Sequence, residues 1–165
     1  MEQKEYEEVL KVILNHPEFI KRKEFQHHEN ESVYDHCIKV SKLAYKIAKK
    51  LRLKNPEEVA IGALLHDFYD KPWQNNPEKV NFFKQHGFIH ASQAAENAKK
   101  YFPDFMNHRI EDMIRKHMFP LNIKPPRYIG SWIVNISDDI ISMNIFLHPR
   151  SLPKYIGIKN KKKRK

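Results

Sequence analysis

The chain of 165 residues has little of what staples or loosens small folds: one cysteine and four glycines. The lone Cys37 excludes an internal disulfide framework and a cysteine-built structural zinc site, and it suits a reducing compartment. So few glycines argue against a loop-rich or solenoid design. No run approaches the roughly 20 apolar residues of a membrane-spanning helix. The opening Met1-Glu-Gln-Lys-Glu-Tyr-Glu-Glu is acidic and polar, without the basic region and apolar segment of a signal peptide. The expectation is a soluble cytoplasmic protein of one domain, long enough to bury a core unaided.

Of the net charge of +10, six positive charges lie in Lys159-Asn-Lys-Lys-Lys-Arg-Lys165, leaving about +4 for the rest. Residues 159–165 read as a solvated, disordered basic tail behind a domain of residues 1–158, and as an accessory attraction to nucleic acid at most. No basic stretch interleaved with aromatics accompanies it.

The hydrophobic pattern predicts an all-α bundle of about seven helices. Tyr6, Leu10, Ile13 and Leu14 fall at helical spacing, and Pro17 ends that run. Val33, Cys37, Val40, Ala44, Ile47 and Leu51 define one buried face of a second helix, with His36 at its edge pointing inward. Asn55-Pro56-Glu57-Glu58 is a helix start, with a capping amide, proline at the first helical position and acids at the positive dipole end. The helix it opens is apolar nearly all round, hence central, and closes on His66-Asp67. After a polar connection with a short helix near 77–85, further helices are expected over 90–101 and 104–117. Prolines at 120, 125 and 126 then force an extended loop. The last helix, about 127–146, carries Ile129, Trp132, Ile133, Ile136 and Ile140 on one side and Val134, Ile141 and Ile145 on the other. That pattern predicts a second central helix, with Asp138-Asp139 in its middle.

His36, His66-Asp67, His90, His117 and an aspartate of the 138–139 pair are groups of metal-ligand type, each within or beside a helix. One polar centre inside the bundle follows, and a divalent ion is the natural reason for it: buried carboxylates need a partner. Imidazole and carboxylate suit first-row ions. Periodicity does not choose between Asp138 and Asp139.

The order His…His-Asp…His…His…Asp on successive helices resembles the HD-domain superfamily of metal-dependent phosphohydrolases. Ser32-Val-Tyr-Asp-His36, Ala63-Leu-Leu-His-Asp67 and Trp132-Ile-Val-Asn-Ile-Ser-Asp138 carry the resemblance, which covers about residues 28–146. It implies His36, His66, Asp67 and Asp138 around one ion, and selects Asp138 over Asp139. Two extra histidines between the HD pair and the final aspartate resemble binuclear members, with Asp67 bridging and His90 and His117 completing the second ion's ligands. His90 is favoured over His86 because it is expected to open its helix; His16, His108 and His148 read as surface or loop residues. One or two divalent ions (Fe, Mn, Mg or Zn) are implied. Two of them about 3.5–4 Å apart can share a hydroxide and clamp phosphoryl oxygens.

The resemblance implies hydrolysis of a phosphomonoester or phosphodiester of a nucleotide or other small phosphorylated metabolite. The cyclic-dinucleotide branch carries Gly-Tyr-Pro after the third histidine, where this chain reads His90-Ala-Ser-Gln. The competing reading is a non-catalytic helical sensor or partner-binding module that keeps its metal. Asp70 is placed to orient a ligand, take part in proton transfer or cap its helix, and His28 to reach substrate. Arg22, Lys71, Lys116, Lys124 and Arg127 are candidate phosphate-binding cations near the expected mouth. Trp73 is placed to stack on a base or to pack. Oligomeric state is not encoded in any of these features.

Overall fold

The computed structural model describes the backbone of residues 2–28, 31–70 and 82–146. Lys71, Trp73, His148, the 159–165 tail and residues 77–81 of the expected short helix lie outside the described residues. Seven α-helices run along the described chain: α1 Glu2–Leu14, α2 Pro17–Ile20, α3 Val33–Lys50, α4 Pro56–Leu65, α5 Phe82–Tyr101, α6 His108–Lys116 and α7 Ile129–Phe146. The all-α expectation holds. The only described strands, β1 Gln26–His28 and β2 Glu31–Ser32, pair antiparallel ahead of α3. No described helix is long and apolar enough to cross a membrane.

Local chemistry sets the helix starts. Ser32 Oγ accepts from Asp35 N–H at 3.1 Å and starts α3, while Asn107 Oδ1 accepts from Arg109 and Ile110 N–H and starts α6. Helix α4 is the centre: from Val59 to Leu65 every residue is buried. Packing of α3, α4, α6 and α7 encloses a core of Val40, Ala44, Ala48, Val59, Ala63, Met113, Ile133 and Val134. Small side chains let α3 and α4 approach closely enough for Ser41 Oγ to donate to Ala60 O at 2.7 Å. A larger apolar cluster joins α1, α5 and the other side of α4.

Three boundaries differ from the pattern-based reading. Helix α5 starts at Phe82 rather than 90, so His90 sits in its interior, not at its beginning. Helix α6 starts at His108, because Pro103–Phe105 forms a separate 3-10 turn. Helix α7 starts at Ile129. It is also less central than its composition suggests: Ile129, Trp132, Ile136 and Ile140 are exposed, and Ile133 and Val134 are buried. An apolar face earns burial only where another element covers it.

Candidate metal centre

His66 and His117 are placed by the same local device. Each caps the C-terminal end of its helix, α4 or α6, and its Nδ1 lies 2.6 or 2.7 Å from the carbonyl oxygen three residues back, Ala63 or Ile114. A carbonyl only accepts, so Nδ1 carries the proton and Nε2 keeps its lone pair. The device also satisfies a carbonyl left open at each helix end. Both rings are fully buried, and neither Nε2 has a hydrogen-bond partner.

Those lone pairs converge on carboxylates. Asp67 Oδ1 lies 3.4 Å from His117 Nε2, 3.6 Å from His66 Nε2 and 2.5 Å from His90 Nε2. On the other side, Asp138 Oδ1 is 3.0 Å from His36 Nε2 and 3.7 Å from His66 Nε2. The six residues His36, His66, Asp67, His90, His117 and Asp138 thus meet, brought together from α3, α4, α5, α6, α7 and the turn after α4. Asp138 faces the cluster with a half-buried side chain, and its neighbour Asp139 is exposed.

Two further residues meet the cluster that the sequence pattern did not single out. The ring of His27, from β1, stacks on His36 with centroids 3.7 Å apart, and its Nε2 lies 3.5 Å from Asp67 Oδ2. Glu31 Oε2 stands 3.8 Å behind His36 Nδ1, and Lys39 holds the same carboxylate at 2.5 Å. A carboxylate behind a histidine sets its tautomer and orientation. His28 belongs to the same strand, but its side chain lies outside the described set.

Accessibility shows which side of the cluster is open. His36, His66 and His117 side chains have 0 % exposure, whereas His27, His90 and Asp138 have 13–15 %. Solvent touches the cluster chiefly at these last three.

The electrostatics are those of a buried site rich in negative charge. Burial acts to raise the Asp67 pKa, but His66, His90 and His117 outweigh it and hold the carboxyl well below its usual range. Asp138 behaves alike: burial raises, while His36 and His66 lower it further. Burial pushes His66 down, which keeps it a neutral donor. For His36 burial is outweighed by Asp138 and Glu31, so its pKa is pushed up to about 9. For His117, burial is outweighed by Asp67 and the pKa rises. Without an ion, a proton takes its place on the His36 ring, and metal uptake has to displace it.

The donor set fits a divalent metal ion. Three overlapping groups have ligand atoms within 4.8 Å of one another: His27, His36 and Asp67; His36, His66 and Asp138; His66, Asp67 and His117. Neutral imidazoles with unused lone pairs facing ionised carboxylates are acceptors facing acceptors, and a cation resolves that arrangement.

The remaining sequence candidates lie elsewhere. Arg22 is buried, donating to Glu18 O at 3.0 Å and to Asp70 Oδ1 at 3.1 Å, with its guanidinium 4.4 Å from the Phe68 ring centroid. Asp70 is exposed and engaged with Arg22. The pair ties the segment after Asp67 to the turn after α2. Arg22→Ala is expected to lower unfolding stability by about 2–3 kcal/mol through lost packing and cation–π contact. Asp70→Ala should cost under about 1 kcal/mol, because its end of the pair is solvated. Denaturant titration of both variants checks the contrast. Lys116, Lys124 and Arg127 line a separate cleft against α6, none of whose lining residues belongs to the cluster. His16 caps α2 by accepting from Glu18 N–H at 3.2 Å, and His108 is exposed.

A family model for the HD domain matches residues 33–143, and no curated protein or solved structure matches the chain. His27 and Glu31 lie just ahead of the matched span, while all six residues expected as ligands fall within it. With well over half its length matched and its histidines and aspartates gathered at one buried point, the chain belongs to the HD domain family.

Proposed function

We propose that this protein is a binuclear metal-dependent phosphohydrolase acting on a phosphomonoester or phosphodiester of a nucleotide or another small phosphorylated metabolite. HD domains are in general metal-dependent phosphohydrolases, and the matched span makes that the starting class. One observation carries the reading furthest: the buried Nε2 atoms of His66 and His117 have no hydrogen-bond partner and both face Asp67 Oδ1.

His36, His66, Asp67 and Asp138 would hold one ion, and Asp67, His90 and His117 the other. When bound, such ions supply Lewis acidity toward phosphoryl oxygens and make water a better nucleophile near neutral pH. The chain's own residues do the positioning. The Ala63 and Ile114 carbonyls fix the tautomers of His66 and His117, and Glu31 backs His36. The phosphoester approaches along the open side, where His27 stands within reach of the reacting group. Its imidazole is suited to hold or pass a proton there.

The test is a panel of nucleotides, cyclic nucleotides and sugar phosphates incubated with metal-reconstituted protein. Hydrolysis of at least one class, lost on chelation, is the expected result. A fully metal-loaded protein inert toward the whole panel would point instead to a sensor or partner-binding module.

A further inference from the structure

Helix α6 has two faces with different tasks. Ile110, Met113 and Ile114, spaced three and four apart, are buried, and the same stripe leads to His117 at the metal centre. The opposite face carries His108, Asp112, Arg115 and Lys116, which line a cleft of about 540 Å³ closed on its other side by Lys124, Pro125, Pro126 and Arg127. A helix with its side chains is about 10–12 Å across, so this cleft is a helix width away from the metal ligands.

The cleft wall is built rather than accidental. Asn122 Nδ2 donates to Arg115 O at 2.6 Å, and Asp112 Oδ2 accepts from Arg127 N–H at 3.0 Å and from Ser131 Oγ at 2.7 Å. These bonds and the two prolines tie the loop after α6 to α6 and to α7. The backbone that carries Lys124 and Arg127 is thereby held in place.

Charge in the cleft is unbalanced. Arg115 is neutralised by Glu111 at 2.8 Å and by Glu96. Asp112 spends one oxygen on backbone and hydroxyl donors. Among the described residues, no carboxylate forms an ion pair with Lys116, Lys124 or Arg127; Asp112 acts on Lys116 electrostatically, but its single charge leaves the three cations in excess around a space the size of a small-ligand site. Ammonium and guanidinium groups set around one cavity match the oxygens of a phosphate group.

We propose that this cleft binds a small phosphate-bearing anion at a site distinct from the metal centre, with Lys116, Lys124 and Arg127 as its ligands. The site stands whether or not the metal centre hydrolyses phosphoesters. Because Lys116 directly precedes His117, an anion held there is connected to the metal centre through the last turn of α6.

The test is an NMR titration of the full-length, Mg²⁺-loaded protein with inorganic phosphate, followed on backbone amides. The expected result is saturable shifts at Arg115, Lys124 and Arg127, weakened about tenfold or more in a Lys124→Ala/Arg127→Ala variant and kept in Asp67→Asn. The double variant leaves the Arg127 N–H to Asp112 bond available, and an unchanged spectrum elsewhere verifies its fold. Three results would overturn the proposal: no saturable shift at these amides, equal affinity in the double variant (as when the basic tail does the binding), or loss of binding in Asp67→Asn.

Discussion

Replacing Asp67 by alanine is expected to remove bound metal and phosphoester hydrolysis together. Its Oδ1 is the atom on which His66, His90 and His117 converge, and its Oδ2 faces His27. Both proposed ions share this carboxylate, so its loss affects two coordination shells at once. Changing residues that merely support ligands already costs about 10–100-fold in metal affinity or activity. Loss of a bridging ligand should therefore exceed 100-fold in each. The fold should survive, because the variant also removes a buried charge whose desolvation is unfavourable. Asp139→Ala is the matched control: this carboxylate is exposed one residue from Asp138 and should leave metal content and turnover unchanged. Elemental analysis and hydrolysis assays on both variants read the contrast. Retained activity in Asp67→Ala would mean the reaction centre lies elsewhere.

The second large effect is expected at Gly62, where α4 and α6 touch. A Cβ there would lie 2.6 Å from Met113 Sδ and 2.9 Å from Met113 Cβ. The sulfur can swing aside, but the Cβ moves only with the backbone of α6. Gly62→Val should therefore force the helices apart and destabilise the protein by about 3 kcal/mol, the upper range for overpacking. In a chain of this size that lowers the melting temperature by roughly 6–12 °C. Because α4 leads into His66-Asp67 and α6 into His117, separation also lengthens the 3.4 Å approach of His117 Nε2 to Asp67 Oδ1. Metal affinity should fall with stability. Adding Met113→Ala should recover only the share due to the sulfur and its methylene, since the Met113 Cβ contact remains, whereas an unchanged melting temperature in Gly62→Val would show that the contact relaxes freely.

How much of this was legible in the sequence depended on how local each determinant is. Helix α4 was readable from its proline at the first position and its apolar run, although Asn55, expected as a capping amide, makes no side-chain cap bond. His36 was legible as inward-facing from its place beside Val33 and Val40, and the structure buries it fully. The start of α5 was not: Gly87 and the paired aromatics Phe82-Phe83 break the three-and-four rhythm, although the backbone stays helical through them. A glycine inside a helix costs about 1 kcal/mol, which tertiary packing can offset. The exposed face of α7 was hidden for a different reason. Periodicity shows that a face is apolar, but whether anything covers it depends on the rest of the chain.

At the centre, helix spacing made His36 visible as inward-facing, while the grouping of His66, Asp67, His90, His117 and Asp138 with it came from the resemblance to the HD-domain superfamily. His27 was not separable from His28, since a three-residue strand is too short to display its period. Arg22 looked like a phosphate ligand because charge alone was visible. Its burial between Phe25 and Phe68 comes from contacts 48 residues apart in sequence, through Asp70. The sequence reading named the six residues that meet at the candidate centre. It did not reveal the supports behind them.

The central claim, a metal centre built from these residues, is tested most directly by elemental analysis of the purified wild-type protein after reconstitution with divalent metal. The account predicts about two first-row equivalents per chain. A well-folded protein that takes up none contradicts it.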